Sequence, residues 1–276
     1  MKTLLAIIAA ASLVVGCGVI EEEQTTTDSG VGATTSAPTD SATTTQTAEA
    51  KNSVTGERIS AGGDKASFND FHTCAIKTDG TAQCWGDDSE GQSTVPGNLG
   101  TVSSINAGGI HTCAIKTDRN VQCWGSDFSA FGKSDQSTVP NNLGTVNSIS
   151  TGLYHTCAIK TDGTAQCWGS DFHGQSDVPT DLGTLSSISA GLYHTCAIKT
   201  DGTAQCWGND SYGQSTIPSN LGTVTSISAG EVHTCAIKTD GNVQCWGSNF
   251  GSYGSSGLIE IPLDLGVVSS ISTGAF

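Results

Sequence analysis

A histidine, two cysteines, a lysine, an aspartate and a tryptophan fall within one short span, His155-Thr-Cys-Ala-Ile-Lys-Thr-Asp-Gly-Thr-Ala-Gln-Cys-Trp-Gly169. These residue types offer three kinds of chemistry: metal ligation by imidazole and thiolate, thiol redox exchange, and acid–base or nucleophilic catalysis. Nearly the same span occurs five times, with its histidine at residues 72, 111, 155, 194 and 233. Repetition argues against all three. Equivalent histidines in successive units occupy equivalent places, so they are spread apart and cannot converge on one tetrahedral ion. The paired cysteines have nine residues between them, not the two of a redox CxxC pair. No Ser, Asp or His unique to one copy pairs a nucleophile with a base. The acidic turns Asp87-Asp-Ser-Glu-Gly91, Ser170-Asp-Phe-His-Gly174 and Asn209-Asp-Ser-Tyr-Gly213 lack the alternating carboxylates and closing glutamate of an EF-hand calcium loop. We expect no metal, no cofactor, no catalytic residues and no enzyme.

The elements that must position these residues follow from the period. Successive histidines are 39, 44, 39 and 39 residues apart, and a repeat near 40 marks a solenoid or a propeller. Each unit reads as four short strands, taken here from the third copy. Val146–Ser150 is an alternating strand, His155–Lys160 a second and Thr164–Trp168 a third. Val178-Pro179, running on to Leu182-Gly183, allows a short outer fourth. With Thr-Asp-Gly as a three-residue loop, Lys160 faces Thr164, Ile159 faces Ala165 and Cys157 faces Cys167. The cysteines then form a non-hydrogen-bonded cross-strand pair about 4.5 Å apart, within bridging reach. Cys157, Ile159, Ala165 and Cys167 share one face, and Ala158, Gln166 and Trp168 the other. Both faces look buried, as in a radial stack of sheets. Copy two has Arg119 where the others have glycine, so either a non-glycine residue takes the left-handed conformation or the turn shifts onto Asn120. Two copies carry longer loops, at Ser126–Asp135 and Ser248–Ile261.

Composition agrees with an exported all-β protein. The chain has 276 residues, 13% of them charged, 35 glycines and a net charge of −15. Lys77, Lys116, Lys160, Lys199 and Lys238 are spread at one per repeat, so no basic patch exists to neutralise phosphates, and a nucleic-acid partner is not expected. Ten of the eleven cysteines form five pairs: Cys74/Cys84, Cys113/Cys123, Cys157/Cys167, Cys196/Cys206 and Cys235/Cys245. That even framework argues for disulfides and an oxidising compartment. The eleventh, Cys17, follows an apolar run with a charged start, which reads as an export signal over residues 1–16. Val14-Val15-Gly16-Cys17 resembles a bacterial lipobox, which makes Cys17 the expected site of lipidation. Gly18 after it points to the outer membrane or cell surface. Residues 17–56 are rich in Thr, Ser, Ala and acids, and read as a disordered tether with a reach on the order of 35 Å. The folded domain is expected over 57–276, its only membrane contact being the lipid anchor.

Gly152-Leu-Tyr-His155-Thr-Cys-Ala-Ile, followed by Cys167-Trp-Gly-Ser-Asp-Phe-His-Gly-Gln175, resembles the repeat of the regulator of chromosome condensation family. The resemblance implies a β-propeller, usually of seven blades. The Gly-Gln…Val-Pro element, as in Gly174-Gln175…Val178-Pro179, is similar to the bacterial branch that includes beta-lactamase inhibitory protein II. Five repeats plus the first strand of a sixth are present, which implies a five-bladed or incomplete ring. The family spans nucleotide-exchange factors, a plant light receptor and protein inhibitors, so it implies no single function.

Binding is expected where the copies differ, because a repeat scaffold keeps its packing positions and varies its loops. Phe128, Phe131, Tyr154, Phe172, Tyr193, Tyr212, Phe250 and Tyr253 lie in such places. Aromatic and acidic loop tips suit a protein-binding patch. The function expected is therefore an envelope-anchored, non-enzymatic protein-binding scaffold. The alternatives are a carbohydrate or cell-wall binding module and an inhibitor of a hydrolase.

Overall fold

The computed structural model describes residues 59–64, 70–251 and 257–274. The expected signal, Cys17, the tether and Tyr253 lie outside them. The first unit contains β1 (Ile59–Asp64), β2 (Asp70–Ile76) and β3 (Ala82–Gly86). The second holds β4 (Val102–Ala107), β5 (His111–Lys116) and β6 (Val121–Gly125), then a small hairpin of β7 (Phe128–Ser129) and β8 (Gly132–Lys133). β9 (Val146–Thr151), β10 (His155–Lys160) and β11 (Ala165–Gly169) form the third. The fourth has β12 (Leu185–Ala190), β13 (His194–Lys199) and β14 (Ala204–Gly208), and the fifth β15 (Val224–Ala229), β16 (His233–Lys238) and β17 (Val243–Gly247). Each unit is one three-stranded antiparallel sheet, or blade. Among the described residues there is no helix.

Hairpin register follows from the short turn. Cys157 pairs with Cys167 and Ile159 with Ala165, and the Lys160 amide donates to the Thr164 carbonyl at 2.8 Å. The same opposition recurs in the other blades, Cys74 with Cys84, Cys113 with Cys123, Cys196 with Cys206 and Cys235 with Cys245. All five pairs are bridged, Cys74–Cys84, Cys113–Cys123, Cys157–Cys167, Cys196–Cys206 and Cys235–Cys245. Their Cα atoms are 4.0 or 4.1 Å apart, about half an ångström closer than an unbridged pair of this type. Copy two keeps its turn in place, since Arg119 itself takes the left-handed conformation at φ 67°. Its guanidinium donates to Asn147 Oδ1 at 3.0 Å.

The core lies between blades. Cys157 and Ile159 of one blade pack against Ile188, Ala197 and Trp207 of the next, with Leu182 and Val178 of the connection between them. Three further clusters repeat this arrangement. The expectation of burial on both faces needs correcting for the third strand of each blade. Cys84, Cys123, Cys167, Cys206 and Cys245 are only half-buried, because that strand is the outermost of its sheet and has a neighbour on one edge alone. Cys74, Cys113, Cys157, Cys196 and Cys235, on the middle strand, are buried. The expected outer fourth strand does not form. Val178-Pro179 leads into a turn in which the Leu182 amide donates to the Pro179 carbonyl at 3.2 Å. Proline cannot supply a ladder donor, and Leu182 is buried between blades instead.

The row of blades has two different ends. Trp124, Trp168, Trp207 and Trp246 are 6–8% exposed, whereas Trp85 on blade 1 is 49% exposed, with no blade covering it among the described residues. At the other end, residues 268–274 run along blade 5. The Val268 amide donates to the Gly241 carbonyl at 3.0 Å and the Thr273 amide to Ser228 Oγ at 3.0 Å. The Val224 amide and the Ala229 amide make the same bonds to Gly202 and Ser189 one junction earlier. This segment therefore takes the place of the first strand of a sixth blade, and the described residues form an open row.

Glycine is required where the junction is tightest. A Cβ at Gly152 would overlap the His155 ring and the Gly191 carbonyl of the next blade. Gly152→Ala is expected to cost about 2–3 kcal/mol, read as a lowered urea midpoint. At Gly174 a Cβ would meet nothing, although φ is +77°. Gly174→Ala is expected to cost about 1 kcal/mol.

Candidate functional site

The repeated histidine joins blades. In the third blade the Thr156 hydroxyl donates to the Gln136 carbonyl at 3.1 Å, which leaves its oxygen to accept from His111 Nε2–H at 2.8 Å. The Trp168 indole donates to the same Gln136 carbonyl at 3.0 Å. Equivalent bonds link His72 to Thr112, His155 to Thr195 and His194 to Thr234. The imidazole thus bonds the next blade and not its own. Burial lowers the pKa of His111, His155 and His194 to about 3 and that of His72 to about 4. Each Nδ1 is buried without a hydrogen-bond partner among the described residues. These rings are neutral struts. No cluster of three metal-ligating side chains occurs among the described residues.

Antiparallel order sorts the loops onto two faces. The His155↔Gly169 pairing brings the turn before β10 and the loop after β11 to one edge, here called upper. The Thr-Asp-Gly turns and incoming connections share the lower edge, where the Leu185 amide donates to the Gly163 carbonyl. On the upper face Phe131 stacks on Phe172, with centroids 4.4 Å apart and planes 2° from parallel. His173 packs edge-on against both rings and lies 5.0 Å from the Tyr193 ring. Loops of three successive blades are joined in this way. The hairpin of β7 and β8, built from the inserted residues of copy two, carries Phe131 across to blade 3.

Phe128, Phe131, Phe172, Tyr212 and Phe250 are 50–67% exposed. Tyr193 is half-buried. Tyr154 is 3% exposed, packed inside its blade edge, and is not at a loop tip. The Gly-Gln…Val-Pro element served in the sequence only as a family likeness, with no role for its glutamines. Gln92, Gln175 and Gln214, and Gln136 after Asp135, are at most 2% exposed, and their side chains hold the upper loops from within. Gln214 donates to Asn209 Oδ1 at 2.8 Å and accepts from the Tyr212 amide at 2.9 Å, and Gln136 donates to the Phe128 carbonyl at 2.8 Å. The signal was present: an uncharged polar residue at the same place in four units, followed by proline four residues later.

A row of disulfide-bridged blades with its variable aromatics on one face defines a propeller-type repeat scaffold. Residues 64–92, 102–130, 146–175, 185–214 and 224–254 match the model of the regulator of chromosome condensation (RCC1) repeat, and the chain belongs to that family. A search of curated proteins found no match. Among solved structures, the ectodomain of the receptor kinase CR4 from Physcomitrella patens is 22% identical with a TM-score of 0.63; the match covers 80% of this chain and 59% of that one. The CRINKLY WD40 ectodomain of the Arabidopsis thaliana receptor kinase ACR4 is 25% identical, TM-score 0.56, with 70% of each chain covered. Prp20p from Saccharomyces cerevisiae is 16% identical, TM-score 0.58, covering 73% of this chain and 65% of that one. The CR4 and Prp20p likenesses concern the fold.

Proposed function

We propose that the chain is a non-enzymatic protein-binding scaffold held outside the cytoplasm of a bacterium. In this reading residues 1–16 are removed, Cys17 carries the lipid, residues 17–56 are the tether and residues 57–276 are displayed from the outer membrane or cell surface. Five disulfides and the likeness to two receptor ectodomains support a place outside the cytoplasm. The observation that carries the binding role is the set of exposed aromatics Phe128, Phe131, Phe172, Tyr212 and Phe250 in the upper loops of four blades, with Phe131 and Phe172 stacked. Exposed aromatics are what an interface core uses. A protein is favoured over a sugar because Phe131 and Phe172 cover one face of each other rather than offering two open platforms. One structural neighbour was crystallised as yeast RCC1 (Prp20) bound to Kap60, which fits a protein partner. The test is photo-crosslinking from position 172 of the full-length chain on intact cells. Protein adducts lost in Phe131→Ala/Tyr212→Ala support the role, and adducts confined to glycan overturn it.

A further inference from the structure

We infer that the upper face takes a cationic protein segment, whose arginine or lysine side chains seat on the exposed rings. This rests on the upper-face reading above and adds the chemistry of the partner. Charge is divided between the two faces. The lower turns are close to balanced: Lys77 stands with Asp79, Lys160 with Asp162, Lys199 with Asp201 and Lys238 with Asp240, Arg119 joins Lys116 against Asp118 in copy two, and Asp181 and Asp264 lie in the connections beside them. The upper loops hold Asp87, Asp88, Glu90, Asp127, Asp171 and Asp210, and the one lysine in those loops, Lys133, is paired with Asp135. Several of these carboxylates also anchor their loops. Hydrogen bonds from the Thr94 hydroxyl hold Asp88 below the usual carboxylate range, and Asp171 Oδ1 accepts from the Ser176 amide at 2.9 Å.

Between these charges lie the rings. Phe172 is 67% and Tyr212 60% exposed, so the Phe172 face turned away from Phe131 and the Tyr212 ring are open to a guanidinium or ammonium group, which the ring quadrupole attracts. Negative charge around an apolar ring also steers a basic partner and repels an acidic one. The same field disfavours polyanions. Both terms act on one loop, because Asp171 and Phe172 are neighbours.

The test uses the oxidised full-length chain and a fluorescent Gly-Ser peptide bearing arginines, with its glutamine counterpart as control. The arginine peptide is expected to bind and the glutamine peptide not, with binding weakened about tenfold between about 50 mM and about 500 mM NaCl. Phe131→Ala/Phe172→Ala is expected to weaken it about tenfold, in line with loss of two ring–cation contacts. Asp171→Asn and Asp162→Asn each remove one charge while keeping an Oδ1 acceptor, one on each face. Only the first is expected to weaken binding, by about threefold. Equal loss in both, or no loss on removing the rings, shows attraction to net charge alone and overturns the inference. If the cell-surface adducts form at position 172 but persist in high salt on an acidic or neutral partner, the cationic inference fails and the upper-face reading stands.

Discussion

Lowering the pH from 7 to 4.5 is expected to unfold most of the protein with its disulfides intact. His72, His111, His155 and His194 have folded pKa values of about 4, 3, 3 and 3, against about 6.5 in an unfolded chain. Burial is the cause in each case. Because the folded pKa lies below the unfolded one, the unfolded chain binds more protons throughout the window between them. Stability is full above pH 6.5 and falls as the pH drops towards 4. One such histidine contributes a slope of about 1.4 kcal/mol per pH unit, and four give about 5 kcal/mol per unit. Total domain stability is commonly about 5–15 kcal/mol, so two units of acidification suffice. The carboxylates of the lower turns, such as Asp162, are also lowered, chiefly by the Thr164 hydroxyl, but their contribution is lost only near and below the ordinary carboxylate pKa. Urea midpoints at pH 7, 6 and 5, followed by tryptophan fluorescence, read the slope. His155→Gln should reduce it by about a quarter, since the amide can still donate to Thr195. A midpoint unchanged down to pH 4.5 would refute the neutral-strut reading.

Reduction of the five bridges is expected to have an effect of similar size. Each bridge spans a sequence separation of 10 residues, and closing so short a loop contributes about 2–3 kcal/mol in the chain-entropy model. Five together amount to about 10–15 kcal/mol. Cys74, Cys113, Cys157 and Cys196 are fully buried and Cys235 nearly so. Of their half-buried partners, Cys84, Cys123, Cys167 and Cys206 pack against the apolar clusters between blades, so a reductant reaches those four bridges only after blades separate. Cys245 is half-buried on the last complete blade, with no such cluster beside it among the described residues, and its bridge to Cys235 should open first. In mild reductant at pH 7 the native protein should keep the other four, then lose them together once low urea parts the blades. Alkylation and intact mass against time check this. A fully alkylated chain with the midpoint of the oxidised protein would show that the bridges contribute little.

Much of this was legible in the sequence because it is local. The Thr-Asp-Gly turn sets the hairpin register, and the register alone opposes Cys157 to Cys167. Alternation also gave the right partition of Ile159 and Trp168 onto opposite faces. What lies between units was harder to read. His111 bonds Thr156, 45 residues away, and no pattern within one unit fixes how far its neighbour is rotated. The same blindness hid the glutamines, whose main-chain carbonyls link adjacent blades. Val178-Pro179 read as a strand from its flanking residues, but Leu182 finds more apolar surface between blades than a sheet edge offers. Without that strand, Cys167 and its counterparts stand at the edge of their sheets, half-covered where alternation suggested full burial. At the upper face the aromatic loop tips were legible, while the contact between Phe131 and Phe172 depends on how the copy-two insertion bends.

All four joints between blades are keyed by the same residues, His to Thr, Thr and Trp to a Gln carbonyl, Ser to the next main-chain amide in most of them. A gene that gains or loses one unit by unequal recombination therefore leaves every remaining joint matched. The number of blades becomes a quantity that inheritance can change in single steps without disturbing the fold, and each step adds or removes one loop from the upper face. Such a protein can lengthen or shorten its row of loops in whole units.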